Sequence, residues 1–189
     1  MFAEKDTKGT GFRLLHMAGD PMSKYSILIL CDALPTEREL RLLKNFQKLG
    51  REIVIFMPDT EGPYRNDFNF AQIFSVLKSF PEKLYIVSMG IFAPYLVNNY
   101  DEIARNVEKV IFINPTYRKD ISTKMSGFEL PVLVITSTPG NLDHDPDAVK
   151  YHDLISGSVI SYVRGVHGNP LFKRFTQSFN SIQRFLQNE

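Results

Sequence analysis

Short apolar runs alternate with amphipathic ones along this chain. Tyr25–Leu30, Glu52–Met57, Lys83–Val87, Lys109–Ile113, Val132–Thr136 and Ser158–Val163 are brief, mostly rich in isoleucine and valine, and nearly continuous in apolar character. Strands buried on both faces have this composition. Between them lie segments with helical spacing. Thr36-Glu37-Arg38-Glu39 reads as a capping box, with Leu42, Leu43, Phe46 and Leu49 on one stripe and Gly50 as the stop. Phe70, Ile73, Phe74 and Leu77 make the next stripe, which ends before Pro81. Asp145-Pro146 opens a helix through Ile155 that stops at Gly157, a cap followed by proline at the first helical position. Asn169-Pro170 opens the last helix, whose stripe is Phe172, Phe175, Phe179, Ile182 and Phe185 or Leu186. Gly11 to Ala18 reads as an extra edge strand. Such alternation predicts an α/β fold: a three-layer sandwich with a mostly parallel sheet of about six or seven strands and helices on both faces. The 189 residues form one domain on this reading, residues 1–23 being an N-terminal extension or edge strand.

Composition narrows the possible roles. Lys+Arg 22 against Asp+Glu 21 leaves a formal charge of +1, whereas a dedicated nucleic-acid or membrane-surface binder needs basic excess on one face. No nucleic-acid partner and no membrane association are therefore expected. The single cysteine, Cys31, forms no intrachain disulfide and fits a reducing compartment. The charged start Met-Phe-Ala-Glu-Lys-Asp-Thr-Lys lacks the apolar core of a signal peptide, and Ile27 to Cys31 is too short a run to span a bilayer. A soluble cytoplasmic protein is the expectation.

Chemistry gathers where strands of a parallel sheet end. Ser88-Met89-Gly90 follows the strand-like Lys83–Val87 and precedes Ile91–Val97, which continues as a helix. A serine at a sharp strand-to-helix turn is lifted out of the sheet, and the next backbone N–H is placed to hold an oxyanion. Asp143 and His167 each follow a later strand-like run, and Cys31-Asp32-Ala33 follows the first central one. A serine hydroxyl needs a neighbouring base to become a nucleophile at neutral pH, and a base needs a partner to hold its tautomer.

Ser88-Met89-Gly90, Gly140-Asn141-Leu142-Asp143 and Gly165-Val166-His167-Gly168-Asn169-Pro170 resemble the three motif regions of the α/β-hydrolase superfamily, and the order of elements from Tyr25 to Leu186 is similar too. The resemblance is to a small member without a cap domain. It implies Ser88 as nucleophile, His167 as base and then acid, and Asp143 as the residue that orients the histidine. The N–H of Met89 and the backbone of Ala33 would form the oxyanion hole, and no cofactor is implied. The implied activity is cleavage of small carboxylic esters or thioesters through an acyl-enzyme.

Other readings of these residues stay open. Asp145 competes with Asp143 for the acid role, although its place before Pro146 suits a helix cap. Ile86 stands two before the serine, where the family usually has a small residue, and Asp32 brings negative charge close to the oxyanion position. Both features favour a catalytically degenerate relative that serves as a binding or assembly module. No pair of histidines has metal-ligand spacing with a carboxylate, so no metal is expected. A nucleotide binder of flavodoxin-like or Rossmann-like type lacks its Gly-x-Gly-x-x-Gly or phosphate loop here. The loop Asn114 to Leu130 has no room for a helical lid, which predicts an open site; Phe92, Tyr95 and Tyr117 are candidates for an acyl pocket, and Arg118, Lys119 and Lys124 for contact with an anion.

Overall fold

Successive residues of a strand point to opposite faces, so a sheet whose strands are apolar throughout must be covered on both sides. The computed structural model, which describes residues 3–5, 12–58, 71–138 and 145–188, shows that arrangement. Eight strands form one sheet: β1 (Ala3–Lys5), β2 (Phe12–Ala18), β3 (Ser26–Leu30), β4 (Glu52–Pro58), β5 (Leu84–Met89), β6 (Val107–Ile113), β7 (Val132–Thr138) and β8 (Val159–Arg164). Their order is β1-β2-β4-β3-β5-β6-β7-β8. β3 to β8 run parallel, while β2 is antiparallel to β4 and β1 to β2. The sheet is thus one or two strands larger than expected. Gly11–Ala18 was expected at the edge, yet β2 lies one strand in, because Ala3–Lys5 pairs along its outer side.

Helices α1 (Glu37–Leu43), α7 (Pro170–Lys173) and α8 (Phe175–Gln187) cover one face, where Leu43, Leu171, Ile182 and Leu186 pack on Ile27, Ile29, Ile55 and Val87. The other face lies under α2 (Ala71–Lys78), α3 (Phe92–Asn98), α4 (Tyr100–Ile103), α5 (Ser122–Met125) and α6 (Pro146–Leu154), with Ile73, Phe92, Leu96 and Tyr151 against Leu28, Leu30, Ile86 and Phe112. Burying a large apolar side chain contributes about 1.5–3 kcal/mol, so the two cores together supply the main driving force.

Local signals set the helix starts. Thr36 and Glu39 form the reciprocal capping box at α1, Asp145 caps α6 and Asn169 caps α7, the last two with proline at the first turn. Two helices are less continuous than their stripes implied. The first tightens into a 3-10 turn over Lys44–Lys48, and the last is broken at Arg174, whose φ of −133° and ψ of 56° interrupt the helix between α7 and α8.

Strand order reverses direction at β3: β4 lies on one side of it and β5 on the other. In open parallel sheets, the carboxyl ends of strands at such a switch point line a crevice. Here those ends are Cys31-Asp32 after β3 and Met89-Gly90 after β5.

Candidate active site

Ser88 was expected at the strand-to-helix turn. It lies inside β5 instead, in register between Leu30 of β3 and Phe112 of β6, both fully buried. Its side chain shares the face of Leu84 and Ile86, is itself fully buried, and its Oγ has no hydrogen-bond partner among the described residues. The hydroxyl is thus enclosed by apolar neighbours at a strand position. The strand continues past Ser88 because Val87, Ser88 and Met89 pair in register with Ile111, Phe112 and Ile113.

The turn comes two residues later, at Gly90. Its φ of 49° lies in the left-handed region, which glycine adopts without steric cost. Its N–H donates to the Ile113 carbonyl at 3.0 Å, and its own carbonyl accepts from the Thr116 N–H at 3.2 Å. Ile86 is accordingly two strand residues before another strand residue, fully buried in the core, and crowds no turn. The elbow therefore exists, but with glycine at its apex.

The space above that apex is filled. A Cβ built on Gly90 would collide with Oδ2 of Asp32, which reaches over from the end of β3. Asp32 is partly buried, and no cation pairs with it among the described residues. Burial raises its carboxyl above the ordinary value, and a hydrogen bond from its own backbone N–H opposes the shift. Cys31, one residue earlier, is fully buried against the α1 face, and burial with the nearby Asp32 and Glu39 charges pushes its thiol far above the usual range. A thiol so hard to ionise is a packing residue.

Met89 and Ala33, the expected oxyanion donors, lie in different settings. Met89 ends β5 with its side chain buried, and its Sδ accepts from Nδ2 of Asn169 at 3.2 Å. Ala33 is exposed in the loop after β3. His167 is exposed in the loop between Gly165 and Gly168, which have φ of 68° and 89°, and makes no hydrogen bond to Ser88. Asp143 lies outside the described residues. Asp145 is committed to structure: Oδ1 accepts from the Asp147 N–H at 3.0 Å, and Oδ2 from the Thr136 hydroxyl at 2.7 Å. The structure thus brings Asp32 and Gly90 together, and no hydrogen bond joins Ser88 to His167.

Asn114, not singled out from the sequence as a site residue, organises this edge. It is a non-glycine residue with positive φ, 44°, a conformation asparagine tolerates better than most. Its Oδ1 accepts from the Ser137 N–H at 2.8 Å, and its Nδ2 donates to Ser137 Oγ and to the Gly168 carbonyl, both at 3.0 Å. It thereby ties the end of β6 to β7 and to the histidine loop. The dipeptide Asn114-Pro115 after an apolar run is the turn signal that marks the position.

Four of the other candidates have partners in the structure. Phe92 is fully buried and packs edge-on against Phe56; Tyr95 lies under Arg118, with the guanidinium carbon 5.6 Å from the ring centre. Arg118 also pairs with Asp120 at 2.7 Å, and Lys124 donates to the Asn98 carbonyl. Among the described residues no three His, Cys, Asp or Glu side chains come together to hold a metal ion, and no helix is long and apolar enough to cross a membrane.

Comparison of the fold with solved structures gives close matches over the whole chain. A predicted CIB-like hydrolase from Thermoplasma acidophilum is similar with a TM-score of 0.79 at 15% identity, covering 100% of this chain and 99% of that one. The carboxylesterase CesB from Bacillus subtilis is similar with a TM-score of 0.74 at 10% identity, covering 99% of this chain and 91% of that one. The enol-lactonase from Burkholderia xenovorans LB400 gives 0.72 at 10% identity, covering 98% and 100%. No family model matches the sequence, and no curated protein matches it. At these identities the likeness is one of fold: the chain has the α/β-hydrolase fold.

Proposed function

We propose that this α/β-hydrolase-fold chain is a binding or assembly module that keeps the sheet and the elbow but performs no acyl transfer through Ser88. The observation that carries this reading is the carboxylate of Asp32 over Gly90. The apex residue of the elbow has no side chain, and the room for one is taken by a group of the wrong charge for an oxyanion. Negative charge there raises the energy of a tetrahedral intermediate, where one well-placed donor would lower the barrier by roughly 2.7–4 kcal/mol. The buried hydroxyl of Ser88, without a partner among the described residues, supports the same reading.

The test is labelling of the full chain with a fluorophosphonate probe, in parallel with Ser88→Ala. Absence of label on well-folded native chain is the expected result. Stoichiometric label that vanishes in Ser88→Ala would overturn it.

A second reading keeps the likeness to a carboxylesterase and an enol-lactonase in view. On it the chain is a small serine hydrolase of carboxylic esters or thioesters, with Ser88, His167 and Asp143 as triad and Met89 and Ala33 as oxyanion donors. It requires β5 to open so that Ser88 turns out of the sheet. Turnover of short-chain aryl esters by the native chain and not by Ser88→Ala would establish it.

A further inference from the structure

A groove of about 640 Å³ runs between α1 and the junction of α7 with α8. Leu42, Phe172 and Phe175 contribute its apolar lining, and Arg38, Lys173 and Arg174 its charge; among the described residues no carboxylate lines it. This one-signed lining stands out in a chain of formal charge +1. It arises from segregation along the sequence: Leu154 to Asn188 contains Arg164, Lys173, Arg174 and Arg184 and not one aspartate or glutamate.

Local structure sharpens the segregation. Arg38 and Leu42 are four residues apart on α1 and so share a face. The acids beside them are turned to other tasks: Glu39 accepts from the Thr36 N–H at 2.8 Å, and Glu37 faces Arg41 at 3.8 Å. On the opposite wall the helix break at Arg174 sets Lys173 and Arg174 side by side at the junction. None of the three groove cations forms an ion pair with another described residue. Phe172 and Phe175 pack inward on the core and remain half-exposed outward, and Phe175 stacks on Phe179 with ring centres 5.1 Å apart.

We propose that this groove docks an acidic segment of a partner protein, its carboxylates meeting Arg38, Lys173 and Arg174 and an apolar side chain covering Phe172 and Phe175. Charge complementarity selects the sign of the partner and speeds encounter, while the aromatic lining supplies area that rewards an apolar anchor. Nucleic acid fits less well, because its affinity comes from many phosphate contacts and the groove offers three cations. The inference deepens the binding-module reading and rests on it, and its test is separate from that of the site, since neither Gly90 nor Ser88 lines the groove.

The experiment titrates the full chain against a fluorescein-labelled peptide of glutamates with one phenylalanine and one leucine. Controls are the same peptide with lysine for glutamate, and labelled oligothymidylate. Saturable binding of the acidic peptide is expected, weakened at least about tenfold in Arg38→Glu/Lys173→Glu and weakened by added salt, with the lysine peptide silent. Because both residues are exposed, the double variant should keep the native melting temperature, and Phe175→Ala checks the apolar anchor. Unchanged affinity in the double variant, no saturable binding at millimolar peptide, or tighter binding of oligothymidylate would each overturn the proposal.

Discussion

Oδ2 of Asp32 lies where the first side-chain atom of Gly90 would stand. The two residues come from the ends of β3 and β5, adjacent strands at the switch point of the sheet, and are 58 positions apart in sequence (90 − 32). Each makes the other possible: the glycine leaves room for the carboxylate, and the carboxylate fills a crevice the glycine would leave open. Their coupling can be measured. Gly90→Ala should destabilise the fold, since a left-handed residue with a Cβ costs roughly 1–2 kcal/mol before any clash. Asp32→Ala should relieve the clash, so the double variant should be more stable than the sum of single effects by about 0.5–3 kcal/mol. Urea denaturation of the four chains reads this directly, and strict additivity would place Asp32 elsewhere.

Asp32 also makes stability depend on pH. Its folded-state pKa is raised, so the folded chain holds the proton more tightly than the unfolded chain. Stability is then undiminished below the ordinary carboxylate range and falls as pH rises through the folded pKa. Asp32→Asn removes that loss. The variant should melt higher than native at neutral pH, with the advantage shrinking to nothing in acid, as scanning calorimetry across pH would show.

Ser88 carries a buried hydroxyl without a partner among the described residues, a group whose desolvation costs about 1–3 kcal/mol. Ser88→Ala should therefore be as stable as the native chain or more so. A clear drop in the melting temperature would mean that the hydroxyl has a partner in solution.

Asn114 can be dissected by Asn114→Gly, which keeps the positive φ and removes only the side chain. Loss of the bonds to Ser137 and Gly168 should cost about 1–3 kcal/mol. Amide hydrogen exchange should quicken from Gly165 to Asn169 and stay unchanged in β3. Equal quickening everywhere would point to global loss instead.

Much of the architecture was legible in the chain. The six strand-like runs each became a strand, because short, nearly continuous apolar runs suit strands of a sheet covered on both faces. The caps at Thr36, Asp145 and Asn169 were legible because each is a local side-chain-to-backbone geometry. The end of β5 was not. Whether the strand stops at Val87 or runs through Met89 depends on pairing with Ile111 to Ile113, residues distant in sequence, and that difference moves Ser88 from the turn into the sheet.

By itself, then, the sequence determined the alternation of strands and helices, the α/β class and the helix starts, since hydrophobic period and capping are short-range properties of neighbouring residues. Only the tertiary structure decided that Gly90 and not Ser88 forms the elbow, that Asp32 fills the space above it, and that Asn114 binds the histidine loop. It also gathered Arg38 with Lys173 and Arg174. These are relations between strand and helix ends far apart along the chain, and they are set by register and packing, which no local pattern encodes.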